Sequence, residues 1–379
     1  MKPARLPAFP VPLLGALLLP AATLFSKDEP ELTTVATVES DFLKSVTSVR
    51  LPRDGKYLYA AAFNSDTVAV FKRDAATGRI ENESWMETPE LKCAVSIRLS
   101  PDDQYAAVSA FRVNTVSLFK RDGATGELSF LDAAVEGKDG SSGLSFVVDA
   151  AFSDDSRFLY TASSAGLGVF KIEKDKLSFV QLESGGHRLI GVRSVVLSPD
   201  GNTVYAAGNQ SGTVGVFHRD KESGKLETVQ ILSNSEEGIH ALNGAFFIAC
   251  SPDGRHVYVS SGRFSGDQAI SAFETQPGGK LKIIEEHVNG LGDFTGFAGG
   301  NSIAVSPDGA FVYAVASVSD RLVRFRRDAK TGELTFLGSQ IVGAFKAPGS
   351  AGLAFSPDGK FVYVADESSS SIVIFKQPH

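Results

Sequence analysis

Arg193 is set apart by its position. Six other copies of a recurring segment carry Thr47, Val95, Val148, Phe246, Asn301 and Ala351 at the same place. A long cation gains nothing from the packing rule of that segment. It either bonds a local acid or faces a ligand, where a guanidinium can stabilise a developing oxyanion. His187, His240 and His287 fall in three successive irregular stretches, 183–192, 233–244 and 287–300. Neutral imidazole there could serve as base or metal ligand, or the three could be ordinary loop residues. Arg112, Arg188, Arg263 and Arg321 also lie on loops and could hold an anionic group. Arg50 and Arg98 share a position that holds Ala151, Val196, Ala249, Ala304 and Ala354 elsewhere, with Asp149 in the third copy. An Arg–Asp network would satisfy those charges, and ligand binding is the alternative. Cys250 stands where other copies carry Leu51, Leu99, Leu197, Val305 and Phe355, which makes it a core thiol. Cys93 has no histidine partner in sequence.

Composition excludes several classes. The 379 residues are 43% apolar, so a sizeable core is available. A net charge of −7 repels phosphate backbones and argues against nucleic-acid binding as the main role. Two cysteines cannot make a disulfide framework or a thiolate zinc site. The repeated turn aspartates lack other oxygen ligands at calcium-loop spacing, so no metal and no cofactor is implied.

The elements that carry these residues repeat seven times. Ser-Pro-Asp-Gly, or a decayed form of it, places Asp54, Asp102, Asp155, Asp200, Asp253, Asp308 and Asp358 at intervals near 51. Five residues on come Tyr59, Tyr160, Tyr205, Tyr258, Tyr313 and Tyr363, with Ala107 breaking the series. Seventeen on come Phe71, Phe119, Phe217, Phe325 and Phe375, and loop-length changes shift the others to Phe170 and Phe273. Each unit reads as four strands, in the fourth copy 194–197, 203–207, 213–218 and 225–232. Proline and glycine make the first turn tight, and 219–224 (RDKESG) makes a hairpin with its aspartate and glycine. Four-stranded antiparallel units that cannot bury both faces alone predict an all-β, seven-bladed β-propeller. The last copy stops after its third strand, 371–376. Segment 31–38 resembles the missing fourth strand and is expected to close the last blade.

Lys2 and Arg5 precede an uncharged run, 6–26, with prolines at 7, 10, 12 and 20. That pattern predicts a signal peptide over 1–26 and an exported propeller over 27–379, secreted or periplasmic and off the membrane after cleavage.

The repeat SPDGxxVYxA…TVxVFxRDxxTGxLxF resembles the seven-bladed lactonase family, which includes 6-phosphogluconolactonase-like members. The resemblance runs from about Leu32 to Lys376. Family members linked to lactone hydrolysis carry Gly-Pro-Arg-His before the turn and Asn-Glu after the second strand. The nearest matches are 191–194 (GVRS), which keeps Arg193, and 366–367, Asp366 and Glu367, in the last copy. Opening a lactone needs a base for water, for which Glu367 or His187 is the candidate, and a cation for the oxyanion, Arg193, with Asp366, His240 and Arg263 expected as ligand-binding residues. The ligand expected is a small sugar-type lactone or other carbohydrate, unphosphorylated in an exported protein, acted on by a monomer. The other class left open is a non-catalytic propeller that binds a protein or glycan on its loop-rich face.

Overall fold

The computed structural model describes residues 24–25, 30–263, 266–342 and 350–378. Most of the expected signal segment 1–26, and most of the link 342–349, lie outside the described residues. Leu24–Phe25 forms a short strand on the outer edge of the sixth sheet, opposite Ser339 and Gly338. The rest is a ring of seven four-stranded antiparallel blades, as the repeat predicts. In the fourth blade the strands are Val192–Leu197, Thr203–Gly208, Thr213–Arg219 and Leu226–Ser233. Thr33–Glu39 pairs antiparallel with Ser371–Lys376 and completes the seventh blade, so chain start and chain end share one sheet. The core lies between blades, where the second and third strands bury most of their side chains on both faces. That burial explains their near-continuous apolar runs, in contrast to the alternating fourth strands.

The turn aspartates act as the sequence reading expects, and also do more. In the fourth copy Ser198 donates to Asp200 Oδ1 at 2.5 Å while the amide of Asn202 donates to the same oxygen. In the hairpins, Asp220 Oδ1 accepts from the amides of Glu222 and Ser223, and Gly224 takes φ 73°. A β-carbon on Gly224 would sit 2.2 Å from the Phe158 ring of the preceding blade, so this glycine is required twice over.

The unforeseen element is the arginine that opens four of the hairpins, Arg73, Arg121, Arg219 and Arg327. Arg219 is fully buried and crosses to the preceding blade. Its Nε donates to Tyr160 Oη at 2.8 Å, and its Nη1 to Asp154 at 2.8 Å. The Tyr160 hydroxyl in turn donates to the carbonyl of Gly224, back in Arg219's own hairpin. Arg121 repeats this with Tyr59 and Asp54, Arg327 with Tyr258 and Asp253, and Arg73 with Tyr363 across the ring closure. At the next-to-last interface Gln377 accepts from Tyr313 instead. The interface between the second and third blades lacks both halves, with Ala107 and Ile172 packing there as core, and between the fourth and fifth blades Thr275 stands where the arginine would be. His256 joins one latch, its Nδ1 2.6 Å from Arg327 Nη2, and burial first, then Arg327, push its pKa down.

Removing one such guanidinium breaks a buried hydrogen-bond network. Arg219→Leu should cost about 3 kcal/mol in urea unfolding, whereas the exposed Arg157→Ala should cost under about 1 kcal/mol. Acid should loosen the same joints. Burial opposes ionisation of Asp253, but the Ser251 hydroxyl, Arg327 and the Arg255 amide outweigh it and hold the carboxyl at about 2, below its ordinary 3.8. A depressed carboxyl contributes in full above its unfolded value and loses that contribution as pH falls toward its folded one. Unfolding midpoints should therefore drop between about pH 4 and pH 2, and Asp253→Asn should flatten that drop.

Candidate active site

The first strand of each blade lines the central channel, and the mouth lies on the face opposite the Ser-Pro-Asp-Gly turns. Arg193 is brought there by a β-bulge. Val192 pairs with Gly208 and Ser194 with Ala207, so Arg193 falls outside the ladder. The same irregularity occurs at Thr47, Val95 and Phe246, and near Asn301. A bulge re-aims a side chain without moving the strands on either side of it. Hence one repeat position, seven residues before the turn aspartate, rings the mouth. A second ring comes from loops between second and third strands, where Phe63, Phe111 and Glu367 each lie nine residues past that aspartate, with Arg263 one further.

Together these residues enclose a cavity of about 330 Å³, lined by Thr47, Phe63, Val95, Phe111, Val148, Arg193, Phe246, Phe247, Arg263, Asn301 and Glu367. Arg263 Nη2 lies 2.8 Å from Glu367 Oε2. Both guanidiniums lie on the Phe246 ring, Arg193 at 5.8 Å and Arg263 at 5.3 Å from its centroid. Burial, then the charge of Arg263, lowers the pKa of Arg193. Burial does the same to Arg263, and Glu367 works against it. The result is a carboxylate and two cations in a partly dry, aromatic-walled pocket.

The expected site residues divide cleanly. Arg193, Arg263 and Glu367 come together although they belong to blades four, five and seven. His187 and His240 are exposed on their links and line no part of this cavity. The His240 amide bonds Glu286. His287 packs edge-on against Phe294 with its Nε2 3.1 Å from Glu285. The three histidines therefore form no shared site. Asp366 is buried and spends Oδ1 on the amides of Ser368 and Ser369, shaping the loop that presents Glu367. Arg188 pairs with Glu236 and Arg321 with Ser339, and neither lines this cavity. Among the described residues no group of three or more metal-ligating side chains converges, and no helix is long and apolar enough to cross a membrane.

A family description, lactonase with a seven-bladed β-propeller, matches residues 29–144, 142–234, 191–342 and 267–378. The chain belongs to that lactonase family. It is 28% identical over 180 residues to a 6-phosphogluconolactonase of Bacillus subtilis, 46% of this chain and 49% of that protein. It is also 28% identical over 152 residues to the uncharacterized protein YwcC of Lactococcus lactis, 38% and 40% of the two. The chain thus spans about half or less of the curated relatives it matches. Among solved structures, the periplasmic gluconolactonase PpgL of Pseudomonas aeruginosa superposes with a TM-score of 0.68 at 22% identity, over 82% of this chain and 88% of that one. A hydrazine synthase chain of Kuenenia stuttgartiensis gives 0.67 at 17%, over 90% and 97%. Such likenesses establish the fold alone.

The aromatic residues of the mouth, Phe63, Phe111 and Phe246, were missed by the sequence reading. The column that contains Glu367 also contains Phe63 and Phe111, and comparing columns rather than motifs would have found them. Cys250 is partly buried against the apolar cluster between the fourth and fifth blades and borders the cavity at the other end of the channel, and burial pushes its thiol up to about 12. Native protein at pH 8 should leave Cys250 unmodified by a thiol reagent, and unfolding should release it.

Proposed function

We propose that this protein hydrolyses a small, unphosphorylated sugar-type lactone at the channel mouth, as an exported monomer in the periplasm or outside the cell. The observation that supports this reading is the meeting of Arg193, Arg263 and Glu367 in one cavity walled by phenylalanines. The aromatic walls suit the apolar faces of a sugar ring, and the charged groups suit its polar edge. In the reaction, Glu367 takes a proton from water, and the resulting hydroxide oxygen bonds to the lactone carbonyl carbon. The carbonyl oxygen becomes an oxyanion beside Arg193. As the carbonyl re-forms, the ring C–O bond breaks and the leaving oxygen takes the proton back from Glu367. The product is an open-chain hydroxy acid. Arg263 positions Glu367. The family membership, the signal-type start and the likeness to a periplasmic gluconolactonase all favour this assignment. A single ring contains the complete site, which is what a monomeric enzyme requires.

One observation favours the non-catalytic alternative. Phe146, Ile190, Leu291 and Val318 are exposed on the loops around the mouth, with Leu291 at 66%. Phe146 also holds φ 51° while its ring stacks 5.2 Å from Phe111. Apolar side chains exposed around a rim are what a protein or glycan partner would cover.

A lactone panel followed by acid release separates the two. Turnover should fall about 10²–10³-fold in Arg193→Ala and by at least about 10²-fold in Glu367→Gln, with unfolding midpoints retained. Wild-type rates in both variants would move the site elsewhere. A parent protein that opens no lactone would leave the binding reading in its place.

A further inference from the structure

The far end of the channel, on the Ser-Pro-Asp-Gly side, holds a second cavity of about 500 Å³. Arg50, Arg53 and Arg98 all line it. Arg50 and Arg98 take one repeat position in adjacent blades, where the other five carry alanine or valine. The repeat therefore does not call for arginine there, and the charges need another reason.

Their partners do not balance them. Arg98 pairs through Nη2 with the buried Asp149 at 2.6 Å and donates from Nε to the carbonyl of Ala150. Its Nη1 is buried and has no hydrogen-bond partner among the described residues. The contacts of the Arg50 guanidinium are to the carbonyls of Val49 and Leu353, at 2.6 and 3.3 Å, and no carboxylate lies in ion-pair range among the described residues. The Arg53 amide bonds Asp103, while its guanidinium makes no ion pair among the described residues. Asp154 is the one carboxylate of the cavity lining, and Arg219 holds it at 2.8 Å. Three guanidiniums thus line one cavity, and of the three only Arg98 has a carboxylate, Asp149, in ion-pair range among the described residues, in a chain whose net charge is −7. A half-buried cation without a counter-ion, as Arg50 is among the described residues, is costly, and guanidinium forks match planar oxyanions in geometry.

We infer that this mouth is a binding site for a small organic or inorganic anion, its oxyanion group seated between Arg50 and Arg98 with Arg53 closing from the turn. The opposite wall, Ala249, Ile248, Ala304 and Val305, is apolar and leaves room for a compact carbon body beside the acid group. The site shares only Phe247 with the upper cavity, so it stands whether or not the lactone reading does.

Calorimetric titration of the full chain with inorganic phosphate in one arm and citrate in the other tests this. One site per chain is expected for at least one anion, and the tighter arm identifies a phosphate or a carboxylate headgroup. Affinity should fall by about tenfold or more in Arg50→Ala and in the solvent-exposed Arg53→Ala, and should also weaken with added salt. Arg193→Ala, at the other mouth, should leave it unchanged. If Arg50→Ala does not fold, Arg53→Ala alone carries the test. Absence of binding in both arms would overturn the inference, as would affinity untouched by the folded variants or lost only in Arg193→Ala.

Discussion

A guanidinium reaching across the gap between neighbouring blades is the contact on which the ring depends. Blades of a propeller meet mainly through apolar faces, and apolar contact is non-directional. Arg73, Arg121, Arg219 and Arg327 add direction, since each must satisfy a tyrosine hydroxyl and the turn carboxylate beside it. The tyrosine returns the bond to the glycine carbonyl of the arginine's own hairpin. Blade spacing and tilt are thereby fixed together. Ala107 and Ile172 replace both halves at one interface, whereas Tyr205 keeps its place opposite Thr275 and Tyr313 opposite Gln377. The same latch between Arg73 and Tyr363 reinforces the strand exchange that closes the ring.

That rigidity is what permits a site made from distant parts of the chain. Arg193, Arg263 and Glu367 lie in three blades, and nothing local in sequence holds them together. Their distances follow from the ring, whose joints lie on the other face. The loops at the mouth are then free to vary in length and chemistry without loosening the frame. The buried arginines of the joints and the cavity-lining arginines of the channel are therefore different populations. The former are neutralised by carboxylates and hydroxyls of the repeat. The latter stand at positions for which the repeat supplies no such partner.

The fold was legible in the sequence because a seven-fold repeat averages out local ambiguity. The strand limits of the fourth blade came within two residues, and the closing strand was found from the shared Glu-Leu-Thr pattern of 31–33 and 333–335. The latch was not read: tyrosines and turn aspartates were taken one copy at a time, the hairpin arginine was given no role, and an interaction between blades leaves no local trace. The site was half legible. Arg193 betrayed itself by breaking its column, but the histidines attracted notice by residue type alone, and the geometry leaves His187 and His240 in solvent. The meeting of Arg263 with Glu367 spans 104 residues and depends on ring closure, which no spacing rule encodes.

The bulges at the mouth have a consequence for descent as well as for geometry. A residue outside the ladder contributes no backbone pairing, so exchanging it leaves the register of its strand intact. The mouth is accordingly a set of interchangeable slots, one per blade, each open to substitution on its own. The repeat supplies such a slot in several blades, and exchange of single residues fills them here with Thr47, Val95, Arg193 and Phe246. One propeller could in this way change what it recognises many times over while its joints stayed the same.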